Sequence, residues 1–236
     1  MIDFHSHILP EMDDGANDVE ESLALLAELK SQGVTKVVAT PHYRGRCSVK
    51  RFLFDRQKSY DKLKAAMDAT GEEYPEIILG AEIAISEYIL QHHGLDRLCI
   101  QGTDYLMAEM PNRNWEPFLY HVLYTLAAQY KLKIMIAHID RYFSTIGRNE
   151  KIMKLIEMQP VFQINTPALM LRKGKKLLKW LNLFDAKMVF GTDCHNMKNR
   201  KPFYKGPMSY VVKKYGEDFL DDINLFGKNM LGVESE

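Results

Sequence analysis

Histidines and carboxylates in this chain recur just after short apolar segments of the kind that form β-strands. The candidates are His5, His7, Asp14, His42, Glu82, Glu109, His138, Asp193 and His195. Imidazoles and carboxylates together suit divalent metal ions and require no thiolate ligand. These nine side chains exceed what one tetrahedral ion can use, so they predict a cluster of several ions. Such clusters activate water and neutralise developing charge, which is the chemistry of a metal-dependent hydrolase.

Two pairs among these candidates carry the strongest signal. His5 and His7 are separated by one residue, and so are Asp193 and His195. Side chains at this spacing point to the same face of an extended segment, so each pair could bind one ion. A single carboxylate after a strand, such as Asp14 or Glu109, is more often a helix cap or a loop residue than a ligand. A single histidine is likewise more often a hydrogen-bonded or surface residue.

Strand-like segments alternate with helical patterns along the whole chain. Strands are expected over 1–7, 36–40, 76–84, 104–110, 134–139, 161–165 and 187–192. This alternation predicts an α/β fold with a parallel sheet. An open sheet would gather its ligands at one switch point, whereas these candidates follow six of the seven segments. We therefore predict a distorted (β/α)7 barrel with its active site at the C-terminal ends of the strands.

The helices have recognisable ends. Asp18 and Glu21 fit a capping box at the start of the first helix, and Gly33 supplies its end. Further helices are expected over 49–71, 115–131, 149–159, 172–181, 208–215 and 217–226.

Composition narrows the class of protein. The chain has 236 residues, of which 46% are hydrophobic, and we expect a single domain over 1–236. Its 31 basic residues balance 31 acidic ones, which disfavours nucleic acid as a partner. Membrane insertion is not expected, since no apolar run approaches the ~20 residues that span a bilayer. Three widely spaced cysteines and no leader-like segment predict reduced thiols and a cytoplasmic location.

Six short motifs occur in order from one end of the chain to the other. They are Met-Ile-Asp-Phe-His-Ser-His-Ile-Leu-Pro at 1–10, Asp-Asp-Gly at 13–15, Ala-Thr-Pro-His at 39–42, Gly-Ala-Glu at 80–82, Ala-His-Ile-Asp-Arg-Tyr at 137–142 and Thr-Asp-Cys-His-Asn at 192–196. This series resembles the polymerase and histidinol phosphatase (PHP) superfamily. Within that superfamily it resembles the bacterial protein-tyrosine phosphatases of capsule and exopolysaccharide loci.

The resemblance implies a distorted seven-stranded barrel that holds three divalent ions. Manganese is common at such sites, and the same ligands also suit iron, zinc or magnesium. The implied ligand sets are His5, His7, Glu82 and Asp193 for the first ion, Glu82, Glu109 and His138 for the second, and Asp14, His42 and His195 for the third. Asp13 is the alternative to Asp14, which we prefer because it directly precedes Gly15.

The resemblance also implies that Arg141 and Arg200 contact phosphate, which their planar guanidinium groups can grip bidentately. The expected reaction is the hydrolysis of phosphotyrosine by a metal-bound hydroxide, with His42 or His195 as a proton donor. The implied substrate is the tail of a bacterial tyrosine kinase that regulates polysaccharide synthesis. Self-association into a homo-oligomer is compatible with the sequence.

Two other interpretations stay open. The chain could be a small-molecule phosphatase, such as a histidinol-phosphate phosphatase, or a metal-binding regulatory module without turnover. Cys194 and Arg200 also have the Cys-x5-Arg spacing of cysteine-dependent tyrosine phosphatases, but the intervening loop has no glycine to curl around phosphate, so we interpret this match as coincidental.

Two stretches are strongly basic. One, which contains Arg44, Arg46, Lys50 and Arg51, follows His42 and is expected at the mouth of the site. It could hold an acidic or multiply phosphorylated peptide. The other, within 172–179, is interpreted as a solvated helix face.

Overall fold

The computed structural model describes residues 1–112, 115, 117–143 and 150–233. Nine strands lie within these residues, and every pairing between them is parallel. They are β1 (Ile2–Ser6), β2 (Lys36–Ala39), β3 (His42–Tyr43), β4 (Glu76–Leu79), β5 (Glu82–Ala84), β6 (Tyr105–Glu109), β7 (Lys133–Ile136), β8 (Val161–Asn165) and β9 (Met188–Gly191). Helices separate most of them, as an α/β fold requires.

The helices surround the strands. They are α1 (Val19–Ser31), α2 (Val49–Thr70), α3 (Pro117–Ala128), α4 (Ile139–Tyr142), α5 (Glu150–Glu157), α6 (Arg172–Leu183), α7 (Lys205–Tyr215) and α8 (Glu217–Met230). The Asp18 carboxylate accepts a hydrogen bond from the amide of Glu21 at 2.8 Å, which confirms the predicted start of α1. No helix among the described residues combines the length and apolarity needed to cross a bilayer.

The strand expected over 76–84 is interrupted, and the strand expected over 36–40 is followed by the short strand β3, which was not predicted. Pro41 lies between β2 and β3, and a proline has no amide proton to donate to a strand ladder. Gly80 lies between β4 and β5, where an added Cβ atom would lie 3.3 Å from Val38 Cγ1. The interruptions divide the strands into one sheet of order β1-β2-β4 and another of order β3-β5-β6-β7-β8-β9.

The two ends of this arrangement meet. Ser6 pairs in parallel with Cys194 just beyond β9. The Asp193 amide donates to the His5 carbonyl at 2.7 Å, and the His7 amide donates to the Cys194 carbonyl at 2.9 Å. With β2/β3 and β4/β5 each counted as one interrupted strand, seven segments form a closed ring. The predicted distorted (β/α)7 barrel is confirmed.

The core has two layers. A smaller cluster that includes Phe4, Val38, Met107, Met135 and Val189 draws buried residues from strands all around the ring, so it fills the interior. A larger cluster packs the outer faces of the strands against the helices. Burial on both faces explains why these strands are nearly continuous apolar runs.

Some predicted helix limits were wrong. The helix expected over 115–131 is described as Pro117–Ala128, and Lys131, with a positive φ of 57°, lies beyond its end. The final helices begin or end beyond their expected limits, at Lys205 and Met230. The helix expected over 149–159 is described only as α5, and Asn149 lies outside the described residues.

Candidate metal centre

The nine predicted ligands lie at one end of the barrel, where the strands have their C-terminal ends. His5 and His7 lie at the end of β1, and Glu109 is the last residue of β6. His42 and Glu82 are the first residues of β3 and β5. His138 follows β7, Asp193 and His195 follow β9, and Asp14 lies in the loop before α1. The fold thus brings together side chains from most of the chain's length.

An inner group of donor atoms converges on one point. His5 Nε2 and His7 Nε2 lie 3.1 Å apart, and each lies 3.3 Å from Glu82 Oε2. Asp193 Oδ1 lies 3.6 Å from His5 Nε2 and 3.5 Å from His7 Nε2. Metal–ligand bonds of about 2.1 Å place tetrahedral ligands about 3.4 Å apart, so this spacing matches a shared ion.

Glu82 stands at the centre of a second group. Its Oε1 atom lies 2.7 Å from His138 Nε2, and its Oε2 atom lies 3.0 Å from His42 Nδ1. Glu109 is farther away, with Oε2 at 3.6 Å from His42 Nδ1 and Oε1 at 3.7 Å from His138 Nε2. The buried Glu82 carboxylate therefore directs one oxygen at the inner group and His42, and the other at His138.

The outer group is looser. Asp14 Oδ1 lies 3.3 Å from His42 Nε2, whereas Asp14 Oδ2 lies 3.8 Å from His195 Nε2. The Asp14 side chain is 56% exposed. These three side chains come together at the mouth, and Asp14 faces solvent as well as the histidines.

The neighbouring Asp13 has a different role, which sequence reasoning missed. Its Oδ2 atom lies 2.7 Å from His7 Nδ1 and accepts from the His42 amide at 2.8 Å, and its Oδ1 atom accepts from the Gly15 amide at 2.9 Å. A proton on His7 Nδ1 leaves the lone pair on Nε2, which faces the inner group. Asp13 thus orients a histidine of the predicted ligand set, a role that its position beside Asp14 does not predict.

A second orienting residue was also missed. Gln163 Oε1 lies 2.9 Å from His5 Nδ1 and accepts from the His138 amide at 2.6 Å. Gln163 donates to Asn165, which in turn donates to Asp193 Oδ2 at 3.0 Å. The sequence does indicate these two residues, since they are the polar residues of an otherwise apolar strand β8.

The donor set fits divalent ions. Within the described residues, the buried atoms His42 Nδ1, Glu82 Oε2 and His195 Nε2 have no hydrogen-bond partner. A buried polar atom left unpaired costs about 1–3 kcal/mol, so three at one site demand an explanation. Unpaired nitrogen and oxygen atoms brought together in this way fit the binding of divalent ions better than hydrogen bonding among themselves.

Electrostatics couple the carboxylates to the histidines. Burial alone would lower the pKa of His5 and His7, but the carboxylates of Glu82 and Asp193, with Asp13 for His7, raise both above the ordinary value, so binding of an ion would release protons from these two rings. Burial alone would raise the pKa of Glu82, but His5 and the other nearby histidines hold it well below its usual range. The same competition, with His5 and His7 as partners, holds the pKa of Asp193 well below its usual range. Burial and the neighbouring His7 lower the pKa of His195 to about 3. Metal binding requires ionised carboxylates and neutral imidazoles.

One expectation about backbone geometry was wrong. Asp193 has a φ of 56°, in the left-handed region, and β9 ends at Gly191. Asp193 and His195 are therefore not a regular extended pair, although their side chains still approach at 3.6 Å. His138 also has a positive φ, of 31°. Such conformations in non-glycine residues cluster at functional sites, where the surrounding structure compensates their cost.

Both predicted phosphate-binding arginines lie at the mouth and contact Asp193. Arg200 Nη2 donates to Asp193 Oδ1 at 2.7 Å, and Arg141 Nη2 donates to Asp193 Oδ2. Their side chains are 35% and 37% exposed, respectively. Each guanidinium group therefore keeps further donors free to reach an anion entering the mouth.

The structure argues against Cys194 as a nucleophile. Its side chain is buried, and burial raises the pKa of its thiol, which opposes thiolate formation. The loop amides of Lys198, Asn199 and Arg200 donate to Asn196 Oδ1 at 3.0, 2.8 and 3.2 Å. These amides are thus engaged by a side chain and do not form a phosphate-binding nest.

The chain matches the model of a family described as capsular polysaccharide synthesis, CpsB/CapC, over residues 1–231. The chain belongs to the CpsB/CapC family. Among the curated relatives, the tyrosine-protein phosphatase CpsB of Streptococcus pneumoniae is 30% identical over 230 residues, with 92% of this chain and 91% of the relative covered. The tyrosine-protein phosphatase YwqE of Bacillus subtilis is 28% identical over 219 residues, with 91% and 84% covered.

Solved structures show the same fold. One chain from the crystal structures of YwqE and CpsB, described as metal-dependent tyrosine phosphatases, matches with a TM-score of 0.80 and 24% identity over 100% of this chain and 96% of that one. The histidinol phosphate phosphatase of Lactococcus lactis matches with a TM-score of 0.56 and 13% identity over 91% and 93%. The CpsB/CapC chain thus shares the PHP-type barrel that its sequence motifs predict.

Proposed function

We propose that this CpsB/CapC-family chain is a metal-dependent protein-tyrosine phosphatase, a phosphoric monoester hydrolase. The observation that carries the proposal is the convergence of His5, His7, Glu82 and Asp193 on a single point beside two arginines. Relatives that align over nearly the whole chain are named tyrosine-protein phosphatases, which supports phosphotyrosine as the substrate.

We propose three metal sites, with manganese as the principal candidate. The first would use His5, His7, Glu82 and Asp193, the second Glu82, Glu109 and His138, and the third Asp14, His42 and His195. Bound ions supply Lewis-acid charge and lower the pKa of a coordinated water toward ~7. Gln163 and Asp13 hold His5 and His7 with Nε2 directed to the first site.

Arg141 and Arg200 are proposed to bind the phosphoryl oxygens. Each guanidinium presents several donors in one plane, and a lysine could not reproduce that fork. Asp193 positions both groups, because one of its oxygens accepts from each arginine. Charge-assisted hydrogen bonds aimed at a phosphoryl group stabilise the charge that develops during its transfer.

The leaving group needs modest assistance. A phenol has a pKa near ~10, so a tyrosine phenolate departs more easily than a serine alkoxide. His195 is a poor proton donor, since its pKa is lowered to about 3 and its Nδ1 atom lies 3.0 Å from the Asp193 carbonyl oxygen. We therefore propose His195 as a ligand, and His42 is the candidate donor only in the alternative in which the third ion is held without it.

The physiological substrate is proposed to be the phosphorylated tail of a bacterial tyrosine kinase that regulates capsular or exopolysaccharide synthesis. The family description supports a role in capsule synthesis. A cytoplasmic location and a homo-oligomeric state remain predictions from the sequence.

The deciding experiment compares kcat/KM for three substrates with manganese supplied. They are a phosphotyrosine peptide, a phosphoserine peptide and histidinol phosphate. We expect the phosphotyrosine peptide to be the best substrate by at least roughly tenfold, a difference of about 1.4 kcal/mol in transition-state binding. Preference for histidinol phosphate would support the small-molecule alternative, and turnover of none of the three would support a regulatory module.

A further inference from the structure

A groove runs away from the metal centre along the N-terminal half of α2. Its volume is about 630 Å³, within the ~300–1,000 Å³ that is typical of ligand sites. Asp13, Asp14 and His42 form the end of the groove at the metal centre, and Ser59 and Lys62 line it at α2. A substrate bound at the metals could therefore continue into it.

Among the described residues, the charged side chains that line this groove without an ion pair are basic. Four basic side chains line it in all: Arg44, Arg46, Lys58 and Lys62. Lys62 is paired with Glu11 at 2.8 Å, and Arg44 lies 3.4 Å from Asp14. Within the part of the chain that the structure describes, neither Arg46 nor Lys58 forms an ion pair.

The acidic lining residues are already engaged. Asp55 pairs with Arg51 at 2.6 Å, and Asp13 accepts hydrogen bonds from backbone amides and contacts His7. Arg46 and Lys58 are thus exposed at the groove without an ion pair among the described residues, so their charges are available to an anionic ligand.

The floor of the groove is apolar and aromatic. Met12, Tyr43 and Phe52 contribute to it, with the rings of Tyr43 and Phe52 packed edge to face at 5.2 Å between centroids. Such a surface suits the side chains and backbone of a peptide better than a small, fully charged ester.

The loop that carries Arg44 and Arg46 is held in place by the protein itself. The Tyr43 hydroxyl donates to the Cys47 carbonyl at 3.0 Å and lies 2.7 Å from His92 Nδ1. Gly45 has a φ of 67°, and an added Cβ atom would lie 3.1 Å from His92 Nε2. A loop ordered in this way binds with little entropic cost.

We propose that this groove binds the peptide segment next to the phosphotyrosine and that Arg46 and Lys58 select an anionic side chain there. The inference rests on the proposed phosphatase function and defines its substrate class as acidic phosphotyrosine peptides. A carboxylate and a second phosphate present the same chemistry to these two cations.

The test uses three phosphotyrosine peptides of equal length, whose flanking positions carry glutamates, glutamines or one second phosphotyrosine. The metal-loaded wild-type protein is compared with the double variant Arg46→Ala/Lys58→Ala. The matched control is Lys176→Ala/Lys179→Ala, because these exposed lysines of α6 lie outside the groove. p-Nitrophenyl phosphate measures turnover of an aryl ester that has no peptide.

We expect wild-type kcat/KM to favour either anionic peptide over the glutamine peptide by roughly tenfold, as two charge-assisted contacts would give. The groove variant should lose most of this ratio through KM, whereas the control variant keeps it. Comparison of the glutamate and second-phosphate peptides shows which anion is preferred. If wild type hydrolyses all peptides equally, or if both variants change the ratio alike, the groove proposal is wrong while the phosphatase function stands. Failure to hydrolyse any peptide or p-nitrophenyl phosphate would overturn both.

Discussion

The metal centre has an inner part that the fold holds rigidly and an outer part that faces solvent. His5 and Glu82 are buried to within 1% of complete burial, and Gln163 fixes the His5 ring from behind. In the outer part, the Asp14 and Glu109 side chains are 56% and 25% exposed. Burial and orienting hydrogen bonds fix the donor atoms of the inner part, whereas the exposed outer side chains are less constrained by the protein, so we expect the inner part to bind an ion more tightly.

Removing an inner ligand should have the largest effect. His5→Ala deletes a ligand that is packed against His7 and Glu82, and we expect phosphotyrosine turnover to fall by well over roughly 100-fold with loss of bound metal. Asp14→Ala should cost less, because that carboxylate is exposed and loosely placed. Metal content and kcat/KM are measured together, with His121→Ala on the surface of α3 as the control. Equal losses for the two ligand variants would abolish the distinction between inner and outer parts.

Arg141→Lys tests whether the outer part of the site binds phosphate through a guanidinium group. The substitution keeps the positive charge beside Asp193 but removes the guanidinium fork, so we expect roughly 10–100-fold lower kcat/KM with unchanged metal content. Arg200→Lys should show a milder loss in the same direction. The exposed Arg172→Lys on α6 is the control, and a wild-type rate for Arg141→Lys would remove that residue from the site.

Asp13→Asn tests the orienting residue of the inner part. The variant can no longer hold the His7 ring through a carboxylate, so metal affinity should weaken by roughly 10–100-fold. Excess manganese should restore most of the activity, because the ligands themselves remain. Metal titration followed by activity measures this, and unchanged affinity would show that Asp13 does not act through His7.

Cys194→Ser should have the smallest effect on activity. The thiol is buried and protonated at neutral pH, and no proposed step uses it. We expect kcat/KM for a phosphotyrosine peptide to stay within about twofold of wild type, with a modest fall in stability from burying a hydroxyl. A variant that binds its full metal complement yet has lost turnover would support Cys194 as the nucleophile.

The barrel and the location of the site can be predicted from polar residues that follow apolar, strand-like segments of the sequence. Residues such as His5 and Glu82 follow apolar runs, and parallel strands necessarily gather their C-terminal ends. The interruptions at Pro41 and Gly80 could have been anticipated from the residue types, but their division of the strands into two sheets depends on long-range pairing.

Other features could not be predicted because they depend on distant partners. Gln163 is separated from His5 by 158 positions, and no local pattern reports that contact. The left-handed conformation of Asp193 is compatible with its sequence but is imposed by pairing between β1 and the end of β9. The contacts of Arg141 and Arg200 with one carboxylate likewise require the closed barrel.

The most direct test of the account is turnover of a phosphotyrosine peptide by protein stripped of metal with a strong chelator, followed by titration with manganese. Bound metal per chain is measured by elemental analysis at each point. We expect a negligible rate without metal and a rate that rises as the proposed sites bind manganese, toward three ions per chain at saturation. Metal-free protein that keeps its full rate would contradict the account.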